Sequence, residues 1–318
     1  MIEKQSANTL LMIEPVAFGF NHQTAKNNFF QQKSDEPASL IQDGALKEFT
    51  QMTAVLGKNG FDLTIVKDTI EPHTPDSIFP NNWISFHADG RVAIYPMFAA
   101  NRRLERRTDI WQLLEKKGFI VREIVDYSPY EKECRFLEGT GSMTLDRENQ
   151  TAYAALSERT DKTLFLKFCS DFHFTPCYFT ANQTVGNKRQ PVYHTNVMMS
   201  VADRYAVVCL ESVDDETERQ KIIHSLSANR KEIIEITENQ MHRFAGNILQ
   251  IENRKGEKFS VMSETAYRSL TEKQIKQIAV YNSIIRIPVP TIEKQGGGSV
   301  RCMIAEIFLQ KNKRDEDQ

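Results

Sequence analysis

The strongest constraint on the fold of this chain is a fivefold recurrence. Helix-then-strand units follow one another at intervals of roughly 55 residues, a period at which repeats build propellers or arrays. The first unit is GALKEFTQMTAVLGKNG (44–60) with FDLTIVKD (61–68), and the second is RLERRTDIWQLLEKKG (103–118) with FIVREIVD (119–126). The third is RTDKTLFLKFCSD (159–171) with FHFTPCYFT (172–180), and the fourth is DDETERQKIIHSLSAN (214–229) with KEIIEITE (231–238). The fifth is TEKQIKQIAVYN (271–282) with SIIRIPVPT (283–291). Apolar residues in each helix fall at i, i+3 and i+4. Several helices end at Gly or Asn, which suits a left-handed C-terminal cap. Thr271 with Gln274 three residues on predicts a capping box.

Between these units lie pairs of alternating segments with polar turns. The turns fall at Ala88-Asp89-Gly90, around Glu148-Asn149, at Ala202-Asp203 and at Arg254-Lys255-Gly256. LLMIEPVAFGF near the N-terminus and SVRCMIAEIFL near the C-terminus supply a fifth pair from the two chain ends. The expected fold class is α/β: a five-bladed pseudo-symmetric propeller of ββαβ modules, closed by its own ends so that no sheet edge is left open. The simpler alternative is a chain in which strands merely alternate with helices. Residues 1–310 are expected to form a single domain, and 311–318 a charged, disordered tail.

Composition narrows the function. With 26% charged residues and a net charge of −2, nucleic acid and anionic membrane are not expected partners. No apolar run reaches transmembrane length. The start, MIEKQSANTLLMIEPV, lacks the basic, apolar and small-residue regions of a signal peptide. The five cysteines (Cys134, Cys169, Cys177, Cys209 and Cys302) are odd in number and scattered, which fits a reducing, cytoplasmic setting better than a disulfide framework. No paired CxxC suggests structural zinc. No metal and no organic cofactor is expected, and GGGSVR lacks the Lys-Ser/Thr ending of a phosphate loop. The expected partner is a small amino-acid substrate, with a homo-oligomer possible.

A closed ring gathers its module starts around one axis. Those starts are HTPDSIFPNNW (73–83), CRFLEGTGSM (134–143), VYHTNVMMS (192–200), HRFAGNILQ (242–250) and GGGSVRCM (296–303). Three of them carry Glu138, His194 and Cys302, the set for thiol catalysis: a sulfur nucleophile, a proton-shuttling imidazole and an acid. Singly, each has a plainer reading. A lone cysteine on a strand is more often buried filler, a lone histidine is usually a satisfied group, and a Glu before Gly can be a turn residue. Equivalent module positions raise the three above that. Cys134, close to Glu138, is the rival nucleophile. The glycine triplet is expected to leave room beside the nucleophile and to let a loop move over substrate.

PDSIFPNNW, FLEGTGS, YHTNVMMS and GGGSVRCM, in this order, resemble the motifs of the guanidine-modifying or pentein superfamily, which includes arginine deiminases, dimethylargininases and amidinotransferases. The resemblance spans nearly the whole chain and implies a five-bladed α/β propeller. It implies Cys302 as nucleophile, His194 as proton shuttle and Glu138 as partner acid on the substrate nitrogen. Asp76 matches a position near the substrate's α-substituents. Arg159, and Arg102 or Arg103, resemble arginines that grip the substrate carboxylate, as a guanidinium fork does; the plainer alternative for them is a solvated helix start.

The resemblance also locates departures. Guanidine-hydrolysing members usually carry an aspartate where this chain has Asn82, and deiminases carry one where it has Asn196. The family's EGGD is EGTGS here. A guanidinium is rich in donors and suits carboxylates, whereas an amide offers both a donor and an acceptor. Two lost charged partners, at about 1.5–3 kcal/mol each, weaken binding of a cation. The closest match implied is therefore a citrulline-hydrolysing branch, taking citrulline to ornithine, ammonia and carbon dioxide by a covalent cysteine mechanism. The alternatives are a deiminase-like or dimethylargininase-like hydrolase of a guanidino compound, an amidinotransferase, or a non-catalytic binding protein on the same scaffold.

Overall fold

The computed structural model describes residues 4–312. Five three-stranded sheets recur along it, each built as an antiparallel pair with a third strand, parallel to the middle one, delivered by a helix. The terminal sheet centres on Thr9–Glu14, which pairs antiparallel with Ala305–Ile307 and parallel with Asp62–Lys67. The chain's two ends thus share one sheet, as the fifth alternating pair predicts. The second sheet joins Ile84–Phe86, Arg91–Ile94 and Glu123–Asp126. The third joins Thr144–Asp146, Thr151–Ala155 and Thr175–Phe179. The fourth joins Met199–Val201, Tyr205–Val208 and Glu232–Glu235. The fifth joins Leu249–Glu252, Lys258–Ser263 and Ser283–Ile287.

The connecting helices are Ala38–Lys58, Asp109–Lys116, Lys162–Phe172, Glu216–Ala228 and Glu272–Tyr281. Each lays an apolar stripe on its sheet. On the first helix that stripe is Ile41, Ala45, Phe49, Met52 and Leu56, all buried. The capping box at Thr271 and Gln274 is formed, and an unforeseen second one stands at Thr237 and Gln240.

Several expectations are corrected. Asn229 and Asn282 cap their helices with φ of −81° and −148°, not left-handed, whereas Gly60 and Gly118 at φ 84° do take the left-handed region. The second strand segment pairs only from Glu123, because the residues before it bridge to the C-terminal stretch at Lys311. The fifth strand stops at Ile287, and Pro290 starts a further helix, Pro290–Gly296, since proline suits the first helical turn. An additional hairpin, Asn182–Val185 with Lys188–Pro191, interrupts the repeat. Its turn residues Gly186-Asn187 signal it, but it carries no helix and so escapes a search for ββαβ units. Of the expected tail 311–318, residues 313–318 lie outside the described residues.

The glycine triplet is a helix end. Gly297 takes φ 62° just after Pro290–Gly296, and a Cβ on Gly298 would stand 2.8 Å from the Phe79 ring. The triplet is therefore packed against an aromatic face, which does not fit an open moving loop.

Ile307, in the strand from the C-terminal end, is 3% exposed against Leu11, Ile13 and Trp83, whereas Ile70 is 70% exposed. Ile307→Ala is expected to cost about 2–5 kcal/mol in urea unfolding. Ile70→Ala should cost less than about 0.5 kcal/mol. Equal costs would mean that the terminal strand is not part of the packed core.

Candidate active site

Four of the five modules begin with one turn of helix before the hairpin strand. These turns are Pro80–Asn82, Gly139–Ser142, Thr195–Met198 and Val300–Met303; the remaining module has a run of turns up to Gly246. Asn82, Gly141, Asn196, Asn247 and Cys302 each lie two or three residues ahead of their strand. Glu138 and His194 are the residues that precede two of these turns. The expected catalytic residues therefore sit in or just before copies of one local device.

Glu138 is fully buried. Its Oε2 lies 2.7 Å from His194 Nε2 and 3.5 Å from Arg159 Nη1, and its Oε1 accepts the Phe98 backbone N–H at 2.9 Å. Arg102 Nη1 stands at 4.0 Å. Burial pushes this carboxyl up, but Arg159, the His194 hydrogen bond and Arg102 outweigh it and hold Glu138 well below the usual carboxylate range. Burial pushes His194 down, Glu138 pulls it back, and Arg159 and Arg102 push it further down, so the imidazole is held below its ordinary 6.5. The consistent state at neutral pH is a carboxylate accepting Nε2–H from a neutral ring, which leaves Nδ1 as the basic nitrogen. Gly141 makes this approach possible: a Cβ there would stand 2.8 Å from His194 Nδ1.

Cys302 is 4% exposed. Asn196 and Asn247 both aim an amide N–H at its sulfur, at 3.5 and 3.2 Å. The rival Cys134 is exposed and sits at φ 54° at a helix end. Cys169 and Cys209, buried in apolar surroundings, are pushed up to about 12 and about 11, which suits inert structural thiols.

Arg102 and Arg103 part company. Arg102 is 2% exposed and pairs bidentately with Glu105, at 2.8 and 2.9 Å. It also donates to Asn82 Oδ1 at 2.8 Å and stands 3.8 Å from Asp76. Arg103 turns away, donating to the carbonyls of Met97 and Phe98 and facing Glu131. The solvated helix start describes neither Arg102 nor Arg159, which is 1% exposed. Asp76 accepts from Asn21 at 2.7 Å and lies 3.2 Å from the Thr24 hydroxyl, while its Oδ1 has no partner.

Sequence reasoning missed Asn247, Glu105 and a strap formed by residues 21–31. Asn27 Oδ1 receives both Nε and Nη2 of Arg159. Asn28 and Gln31 donate to the carbonyls of Gly296 and Gln295. Asn247 could have been found, since it follows Gly246 at the module position that Asn196 and Cys302 hold in theirs. The strap carries no periodic signal. Among the described residues, no group of three or more His, Cys, Asp and Glu side chains could hold a metal ion, and no helix is long and apolar enough to cross a membrane.

Comparison with known proteins decides the family. The sequence model of the eukaryotic N,N dimethylarginine dimethylhydrolases matches residues 14–309. The chain belongs to this family. As a dimethylarginine dimethylhydrolase family member it is a hydrolase of the pentein, guanidino-modifying superfamily, with that superfamily's mixed α/β fold. No curated protein matches it in sequence.

Its structure is similar to that of the cyanobacterial arginine dihydrolase ArgZ of the ornithine–ammonia cycle, with a TM-score of 0.72 at 14% identity over 96% of this chain. The chain spans only 41% of that protein. It spans 99% of ArgZ's N-terminal domain, solved as a cysteine-to-serine variant bound to substrate, with a TM-score of 0.69 and 15% identity over 95% of this chain. A dimethylarginine dimethylaminohydrolase, in a histidine-to-glycine variant carrying an S-methyl-L-thiocitrulline adduct, superposes with a TM-score of 0.62 at 14% identity, over 94% of this chain and 99% of its own.

Two outcomes test the buried charges. Arg102→Ala strands Glu105 and Asp76 and should cost about 3–5 kcal/mol of unfolding free energy, because breaking a buried pair leaves a charge uncompensated. Arg103→Ala should cost under about 1 kcal/mol; comparable losses would contradict the different placement of the two guanidinium groups. Separately, His194 and His87 are both held below 6.5 by burial. Below that pH the unfolded chain takes up protons that the folded chain refuses. Their contribution to stability is therefore lost as pH falls from 6.5, by up to about 1.4 kcal/mol per pH unit for each histidine. Urea titrations at pH 7 and 5.5 should show a shallower slope in His87→Gln than in wild type.

Proposed function

We propose that the chain is a cysteine-dependent hydrolase acting at the guanidino carbon of an arginine-type amino acid. The observation that carries this reading is the set of buried acceptors left without partners: Asp76 Oδ1, Asn196 Oδ1 and Asn247 Oδ1. At least one N–H of each amide is already committed. Asn196 and Asn247 point theirs at the sulfur, and Asn82 donates to Asn81 Oδ1 at 3.2 Å while its own oxygen takes Arg102. The unfilled oxygens of Asn196 and Asn247, on the two amides that contact the sulfur, thus ask for N–H donors, which a guanidino group supplies in greater number than a ureido group. The family match and the similarity to an arginine dihydrolase support the same substrate class.

In this reading His194 Nδ1 takes the Cys302 thiol proton as the sulfur attacks the guanidino carbon, forming an S–C bond. A C–N bond breaks, and His194 passes that proton to the departing amine. Water, losing a proton to His194, then attacks the covalent intermediate; the S–C bond breaks, the ureido product leaves, and the proton returns from His194 to the sulfur to restore the free thiol. Glu138 holds the imidazole tautomer that does this. Arg159 is the proposed partner of the substrate carboxylate, taking it in place of Asn27 Oδ1, and Asp76 is proposed to hold the α-ammonium. Arg102 is assigned to fixing Asn82, with no direct substrate contact.

A second reading, hydrolysis of citrulline to ornithine, ammonia and carbon dioxide, is favoured by the neutral amides at Asn82 and Asn196. It uses the same nucleophile and proton path. We further infer that the five sheets close into a five-bladed ring and that residues 1–310 form one domain. Cross-sheet ties support this. Gln5 donates to the carbonyls of Leu145 and Val201, Thr144 to that of Met199, and the Glu252 N–H to that of Ala7, while Lys231 pairs with Asp146 at 3.2 Å.

The test is ammonia, dimethylamine and ornithine release from a panel of arginine, dimethylarginine, citrulline and agmatine. A guanidino amino acid is expected to turn over fastest, and Cys302→Ser to lose at least about 10³-fold in rate. Faster turnover of citrulline than of every guanidino compound would replace the first reading with the second. Undiminished turnover in Cys302→Ser would remove both.

A further inference from the structure

Asn247 is fully buried in the module whose start carries no expected catalytic or substrate-binding residue. Its Nδ2 lies 3.2 Å from the Cys302 sulfur and 3.0 Å from the Asn196 backbone carbonyl. The second contact fixes which way the amide faces, since a turned amide would set oxygen against oxygen. With the N–H side committed, Oδ1 must face the other way, and there it has no partner. Asn196 repeats the arrangement, with an N–H on the same sulfur and an unpartnered Oδ1. Gly246 locks the position, because a Cβ there would meet Met198 Cα at 2.9 Å.

We propose that Asn247 is a specificity-determining residue of this site, holding the attacking sulfur with its amide N–H while its carbonyl receives an N–H of the substrate's terminal group. The inference rests on the reading of the site as a guanidino hydrolase and adds to it a neutral acceptor pair, Asn196 with Asn247. Two N–H donors at the sulfur match an atom that carries negative charge as it attacks. A buried acceptor beside that atom is empty until a substrate brings N–H groups to it, which selects for terminal –NH₂ or –NHR and against an ester or ketone at the same carbon. Because these two acceptors are uncharged, they hold the substrate's N–H groups without adding a further negative charge beside the sulfur. The carbon is thereby left more electrophilic than it would be against a carboxylate.

Asn247→Asp keeps the volume, removes the donor to sulfur and adds a charge. In this variant, alkylation of Cys302 by iodoacetamide at pH 7 is expected to slow about tenfold, the loss of one hydrogen bond to a charged group. With arginine, kcat should fall about 10²-fold while KM stays level or drops, because the new charge favours the bound cation over its reaction. Asn247→Ser, which restores a small donor, should recover part of the alkylation rate, and Asn247→Leu, near in size and without a donor, takes the place of Asn247→Asp in the alkylation assay if that variant does not melt cooperatively. Alkylation within twofold of wild type in a folded variant that lacks the donor, or a kcat loss in Asn247→Asp matched by an equal rise in KM, overturns the proposal. If wild type hydrolyses no guanidino or ureido compound, the functional reading fails, and alkylation still decides whether Asn247 holds the sulfur.

Discussion

A carboxylate with no exposure to water stands at the centre of this molecule. Glu138 is stable there as an anion only because Arg159, Arg102, the His194 ring and the Phe98 N–H surround it. Each of those partners is in turn anchored elsewhere. Arg102 is tied to Glu105 and Asn82, and Arg159 to Asn27 and the Thr24 carbonyl. The network therefore joins three module starts and the N-terminal strap through one buried charge. It also sets the chemistry, since the same carboxylate that takes Nε2–H fixes the histidine tautomer.

The repeat explains why such a network can be assembled at all. A helical turn in four modules, and a run of turns in the fifth, sets one residue per module two or three places ahead of its hairpin strand. Asn82, Gly141, Asn196, Asn247 and Cys302 are five chemical choices for one structural position. Gly141 is the choice that makes space, letting Asn82 and His194 close on the backbone. The two asparagines turn donors to the sulfur and acceptors away from it. The strap then covers what the modules leave open, reaching Asp76, Arg159 and the glycine-terminated helix from a segment with no regular structure of its own.

Much of this was legible in the residues. Alternation and 3.6-residue spacing report local geometry, so the hairpins, their turns and the five helices could be placed before any tertiary contact was known. Cys302, His194 and Glu138 could be singled out because each falls at a module start, although the structure sets Glu138 and His194 just before a helical turn and Cys302 within one. Where the reading went astray, a long-range contact had overridden a local cue. The glycine triplet reads as a loop until Phe79 is packed on it. Arg102 and Arg103 are indistinguishable as neighbours, and only the position of Glu105 and Asp76 buries one and leaves the other at the surface. Asn82 and Asn196 were read as donor–acceptor groups for a neutral ureido substrate, yet one N–H of each already goes to Asn81 or the sulfur, and the Asn82 oxygen takes Arg102.

The amino-acid order alone determined the five helix–strand repeats and the pairing of the chain ends, and it singled out Cys302 as the candidate nucleophile, because each follows from patterns within a few neighbouring residues or from their recurrence. Only the folded chain decided which face of each amide meets the sulfur, which arginine is buried, and which strap residues hold Asp76 and Arg159. Those outcomes depend on the direction of hydrogen bonds between groups far apart in sequence, and a side chain's type names the bonds it can make without saying which of them it does.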